Sequence, residues 1–125
     1  MIKDNQGEMW APTSSVRLEP DLAERLRVAA FTQRSKKQPI LRDGIMKLLE
    51  RENTRPAAAV RKRWAALVAD QPQHTPMREA VRITPDQDEA LRKFCYDYRL
   101  HKQTVIRQAL IEHLDQLDGA GKRKR

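Results

Sequence analysis

The sequence predicts a mostly α-helical fold with a two-stranded antiparallel ribbon. Two strand–helix–helix copies form one pseudo-twofold domain, joined by a helical linker. Three observations predict it. Residues 16–50, shifted forward by 65, fall on 81–115 without a gap. Each copy opens on a short stretch that alternates apolar and polar residues. Each then carries two apolar stripes at helical spacing, separated by a short polar break.

The self-match is identical at Val16/Val81, Arg17/Arg82, Pro20/Pro85, Asp21/Asp86, Glu24/Glu89, Leu26/Leu91, Arg27/Arg92, Arg34/Arg99, Lys37/Lys102, Gln38/Gln103 and Arg42/Arg107. Leu49/Leu114 is identical as well, and Leu18/Ile83, Phe31/Tyr96, Ile40/Val105, Leu41/Ile106 and Ile45/Leu110 keep their apolar character. Two copies around a long insert are not a solenoid. They point to one chain doing the work of a homodimer.

The elements follow in order. In Ser14–Leu18 and Glu79–Ile83, Val16, Leu18, Val81 and Ile83 face one way. Ser15, Arg17, Ala80 and Arg82 face the other, which is the pattern of half-buried strands. Glu19-Pro20-Asp21 and Thr84-Pro85-Asp86 then open helices, because proline suits the first helical position and acids favour the dipole there. Thr84 is a good N-cap and Glu19 a poorer one. The first helices span about 20–33 and 85–98, with stripes on Leu22, Leu26, Ala29, Ala30 and on Leu91, Phe94, Cys95, Tyr98. Breaks fall at Arg34-Ser35-Lys36 and Arg99-Leu100-His101. The second helices span about 37–52 and 102–117. Their stripes are Ile40, Leu41, Ile45, Leu48, Leu49 and Val105, Ile106, Ala109, Leu110, Leu114. Between the copies, residues 57–69 are alanine-rich and helical, with Val60, Trp64, Leu67 and Val68 on one side. Trp64 is expected to pack this linker helix onto the fold. Residues 1–12 and 118–125 are expected to be disordered.

A single strand has no partner, and a lone ribbon is marginal in water. Each strand therefore needs the other. Antiparallel pairing buries Val16, Leu18, Val81 and Ile83 over the helices. It leaves Ser15, Arg17, Ala80 and Arg82 exposed, flanked by Thr13 and Arg78. A two-stranded ribbon of this kind fits the major groove of B-DNA.

Charge agrees with that partner. The chain has 125 residues, 25 Lys+Arg against 17 Asp+Glu, and a net charge of +8. Much of the excess sits in residues 56–78 and 119–125, which together hold eight basic residues and one acidic. Length excludes a large α/β enzyme, and the single cysteine, Cys95, excludes a disulfide scaffold. No apolar run is long enough to span a membrane, and residues 1–7 do not read as a signal peptide. The expectation is a cytoplasmic protein, associated with nucleoid or plasmid.

Candidate chemistry is otherwise sparse. Gly7, Gly44, Gly119 and Gly121 form no phosphate loop. His74, His101, His113 and Cys95 lack metal-ligand spacing. Cys95 aligns with Ala30 and reads as a small core residue, and His113 aligns with Leu48 at a core edge. No catalytic residue, cofactor or metal is expected.

The runs Val16-Arg17-Leu18-x-Pro20-x-Leu22 with Leu26, and Val81-Arg82-Ile83-Thr84-Pro85 with Leu91, resemble the ribbon-helix-helix (MetJ/Arc) DNA-binding family. The likeness covers about two thirds of the chain, as motif 1 at 13–52 and motif 2 at 78–117, with a 53–77 linker. Two motifs in one chain look like the tandem, TraY-type arrangement. The resemblance implies base contacts from Thr13, Ser15, Arg17, Arg78, Ala80 and Arg82. It implies phosphate contacts from Lys36, Lys37, Gln38, His101, Lys102 and Gln103, at helix N-termini that favour anions. Ser15 and Ala80 differ, so the two half-sites should differ. Glu79 departs from the family's apolar residue and would let the second strand fray. Pro39 removes one N–H donor from the first clamp. The expected partners are double-stranded DNA, further copies of the chain along it, and a protein met through the linker or tails. The expected role is a transcriptional repressor of a bacterial or mobile-element operon. Relaxosome accessory factor and plasmid-partition protein are alternatives, and an antitoxin-type interaction module is the alternative from another class.

Overall fold

A computed structural model describes residues 2–3, 9–10, 14–72 and 74–122, with the backbone alone at 2–3, 9–10, 14 and 119–122. Two short strands, β1 (Ile2–Lys3) and β2 (Met9–Trp10), pair antiparallel within the N-terminal region read as disordered. Then come β3 (Ser14–Leu18), α1 (Pro20–Thr32), α2 (Lys37–Asn53), α3 (Ala57–Ala69), β4 (Met77–Val81), α4 (Pro85–Tyr98) and α5 (Lys102–Lys122). The fold is mostly helical with a two-stranded antiparallel sheet, β3 on β4.

The ribbon register pairs Ser14 with Val81, Ser15 with Ala80, Val16 with Glu79, Arg17 with Arg78 and Leu18 with Met77. Ser15 and Ala80 stand exactly one repeat offset apart and face each other at the middle of the ribbon. The strand β4 starts at Met77 and ends at Val81, two residues before the end that alternation suggested. Val16, Leu18, Val81 and Ile83 are fully buried, each worth about 1.5–3 kcal/mol on leaving water. Glu79 does not fray the strand. It faces the core side opposite Val16, half-buried, and its carboxylate accepts from Lys37 Nζ at 2.8 Å.

Helix starts follow the local chemistry. Thr84 caps α4 through a reciprocal box with Gln87. Glu19 caps nothing with its side chain. It instead accepts from Arg107 Nε of α5 at 2.9 Å, and that bond holds its carboxyl below the usual range against the opposing effect of burial. The corners α1–α2 and α4–α5 turn on Arg34 and Arg99, both left-handed at φ 52° and 53°. In each corner the last helical turn is closed by a bond from two residues on, Ser35 N–H to the Ala30 carbonyl and Leu100 N–H to the Cys95 carbonyl. The helix α5 runs five residues beyond the expected 117. Arg25 on α1 holds its last turns through Asp115 (2.8 Å) and Asp118 (3.0 Å).

The core sits where α2 and α5 cross beneath the ribbon. At Gly44 an added Cβ would lie 3.1 Å from the Ala109 carbonyl oxygen and from His113 Cβ. Gly44 and Ala109 are again one repeat offset apart. The missing side chain lets the helices approach. Buried beside them is an acid–base network. Glu52, 1% exposed, accepts from Arg63 Nε (2.8 Å) and from Trp64 Nε1 (3.1 Å). Arg63 also reaches Glu112, as does Arg51 at 2.5 Å. Burial would raise the Glu112 carboxyl, but Gln108, Arg63 and Arg51 outweigh it and hold the group low. The network and the edge-on Trp64–Phe94 contact (5.7 Å) fix α3.

Two expectations follow. Gly44→Val overpacks the crossing and should cost about 1–3 kcal/mol by urea denaturation; an unchanged midpoint would show that the helices separate freely. His113 is buried and its Nδ1 has no protein partner. Burial lowers its pKa, the nearby Lys47 adds to this, and Asp43 opposes it. The unfolded chain thus takes up this proton first, so stability should fall as pH drops below about 6.5. The low carboxyls of Glu19 and Glu112 extend the loss below about 4.3. His113→Leu, matching Leu48, should flatten only the upper window in urea titrations at pH 7, 6 and 5.

Candidate nucleic-acid interface

The outer face of the ribbon follows from its register. Ser15 opposes Ala80 and Arg17 opposes Arg78, all four exposed, and Arg82 is exposed one step past β4. Both backbone groups of Arg17 turn outward to Gln103: its N–H donates at 2.7 Å and its carbonyl accepts at 2.5 Å. Arg17 and Arg78 therefore form a pair with no hydrogen bonds between the strands, the kind in which opposed side chains come closest. Two like charges set this way destabilise a sheet. Among the described residues none of the Arg17, Arg78 and Arg82 guanidinium groups has a carboxylate partner. Many other cations of the chain do. The ribbon thus concentrates unneutralised charge on a flat surface. Thr13 lies outside the described residues.

The residues expected to hold phosphate divide into two groups. Lys36 and His101 are exposed at the starts of α2 and α5. The other four side chains serve the fold. Gln38 donates to the Ala80 carbonyl (2.7 Å) and accepts from Arg82 N–H (2.9 Å). Gln103 does the matching task on Arg17. Each glutamine reaches from one copy to the open edge of the other copy's strand, satisfying groups that an edge leaves bare. Lys37 is held by Glu79, and Lys102 by Asp88 at 2.9 Å. Sequence reasoning missed these tethers. The signal available was the Lys-Gln pair itself, repeated at one phase of both copies. What stays open near α2 and α5 is the positive end of each helix dipole beside an exposed cation.

Of Arg61, Lys62 and Arg63, Arg63 turns inward to the acid network, and Arg61, itself exposed, lies over the Tyr98 ring at 5.7 Å. Lys62 is exposed. Burial pushes the Cys95 thiol up to about 11, partly countered by Lys102, so it is a thiol and no nucleophile at neutral pH. Among the described residues no group of three His, Cys, Asp or Glu could hold a metal. Nor is any helix among them long and apolar enough to cross a membrane. Comparison with family models, curated proteins and solved structures finds no match to this chain.

The tethers give a direct test. Gln103→Leu leaves the Arg17 N–H without its acceptor and should cost about 1 kcal/mol. Hydrogen exchange of that amide should quicken more than the global loss explains. Exchange that merely tracks global stability would mean the tether adds nothing locally.

Proposed function

We propose that this chain binds double-stranded DNA sequence-specifically, laying the β3–β4 ribbon in the major groove, as a tandem ribbon-helix-helix regulator of transcription. The observation that carries the reading is the outer ribbon face. Arg17 and Arg78 are set side by side at a cost, with Arg82 beside them, and among the described residues none of the three has a carboxylate partner. A polyanion relieves that repulsion, and guanidinium groups on an exposed strand can read guanine bidentately. The pseudo-twofold arrangement is supported by two meetings of repeat-related residues, Ser15 with Ala80 and Gly44 with Ala109. On this reading Ser15, Arg17, Arg78, Ala80 and Arg82 touch bases, together with Thr13. Lys36, His101 and the first backbone N–H groups of α2 and α5 hold phosphates. Lys37, Gln38 and Gln103 contribute by tying the ribbon to the helix starts, and Lys102 by tying the start of α5 to Asp88 of α4. Repressor, relaxosome and partition roles share this ribbon and differ in the DNA site.

Selection from a randomised duplex library at about 0.15 M salt should enrich a short motif with two unlike halves, since that ionic strength suppresses binding by charge alone. Arg17→Ala and Arg82→Ala should each relax preference in one half and weaken the selected site about 5–150-fold, the equivalent of about 1–3 kcal/mol. Binding without enrichment, or variants that keep the parent motif, would remove the ribbon from base reading.

A further inference from the structure

The chain contains one α3 but two places shaped to receive it. α3 sits against α2 and α4: Trp64 packs on Phe94, its indole N–H reaches Glu52, and Arg61 lies over Tyr98. Move that seat by the repeat offset of 65. Phe94 becomes Ala29, Tyr98 becomes Gln33 and Glu52 becomes Leu117. Those three residues, with Leu114, Val28 and Arg25, line an open groove of about 250 Å³ between α1 and α5.

The differences between the seats describe what this one would take. Alanine in place of phenylalanine widens the floor. Leucine in place of the buried acid makes it more apolar, and Val28, 46% exposed, adds an apolar lip. The acid has moved to the rim, where Asp115 and Asp118 share the single guanidinium of Arg25. Among the described residues these two carboxylates have that one cation between them, and both are well exposed. We propose that the α1–α5 groove docks a basic amphipathic helix of a partner protein, with a bulky apolar side chain on Val28, Ala29 and Leu117 and a Lys or Arg at the rim. Helix-in-groove recognition uses this geometry. Leu114–Asp118 lie 11 to 15 residues along α5 from Gln103, about 17–22 Å from the ribbon edge. The docked helix leaves the ribbon free, and the proposal does not rest on DNA binding.

The probe is a fluorescent, end-capped peptide of residues 56–70, which carries Trp64 beside Arg61, Lys62 and Arg63, titrated into the full chain. Saturable binding is expected. Leu117→Lys, which places a cation where the occupied seat has its acceptor, should weaken it at least tenfold. Leu117→Glu, which restores the acid of the occupied seat, should bind at least as tightly as the parent. A merely structural effect would weaken both. No saturation by about 1 mM overturns the proposal. So does equal binding by both variants, which would put the peptide at the original α3 seat. Sedimentation of the chain alone as a dimer that Leu117→Lys dissociates would make the occupant a second copy, and would overturn it too. A failed DNA selection leaves each of these readouts unchanged.

Discussion

Everything else in this molecule depends on one pairing, between two five-residue strands with 58 residues between them. Among the described residues neither strand has any other neighbour in its sheet. Until they meet, Val16, Leu18 and Val81 have nothing to be buried against. Once they meet, their inner face is a lid on the crossing of α2 and α5, and their outer edges are closed by glutamines from those same helices. The ties run between the copies: Gln103 to Arg17, Gln38 to Ala80 and Arg82, Arg107 to Glu19, Lys37 to Glu79, Arg25 to Asp115. The molecule is therefore one interlocked unit, and the orientation of its ribbon side chains is set from both halves at once.

Residues one repeat offset apart differ where they pack. Gly44 meets Ala109 at the crossing, so one helix gives up a side chain and the other keeps a methyl. Leu48 in one copy is a buried His113 in the other, which makes the packing at that position sensitive to acid. Glu52 on α2 is buried with Trp64 and Arg63, whereas the matching position on α5 is Leu117. An isolated carboxylate could not be buried there, since an unpartnered charge in a core costs several kcal/mol, about 3–5 when a partner is deleted. The linker helix supplies the partners, which is why it docks on one side.

The periodic features were legible in the sequence. Helix starts at Pro20, Lys37, Pro85 and Lys102 follow from proline, acids and stripe phase, and the repeat fixed the phase of each by reference to the other. The inward set of the strands followed from alternation alone. What was hidden depends on what lies across a gap in space. Gln38 and Gln103 look like any polar first turn until a bare strand edge is placed opposite. Glu79 looks like a defect until Lys37 is beside it. The strand β4 starts early because Leu18 offers a partner to Met77, which no property of Met77 announces. The helix α5 passes the expected stop before Gly119 because Arg25, on a distant helix, fastens Asp115 and Asp118. On the ribbon face, the exposure of Arg17 and Arg82 was readable from alternation; the tethering role of the residues behind them was not.

The late arrival of the second strand has a consequence for how the chain is made. A ribosome releases the N-terminal copy first, with β3, α1 and α2 all emerging before Met77. For that interval the apolar faces of Leu22, Leu41, Ile45 and Leu49 have no native cover, and helices alone at this length are marginal. The cover comes with β4 and then α5. Folding of the unit therefore waits for α5, whatever has emerged before it. Until then the cell must tolerate an exposed half-domain, the state in which chaperone capture or misassociation with a neighbouring nascent copy competes with the fold.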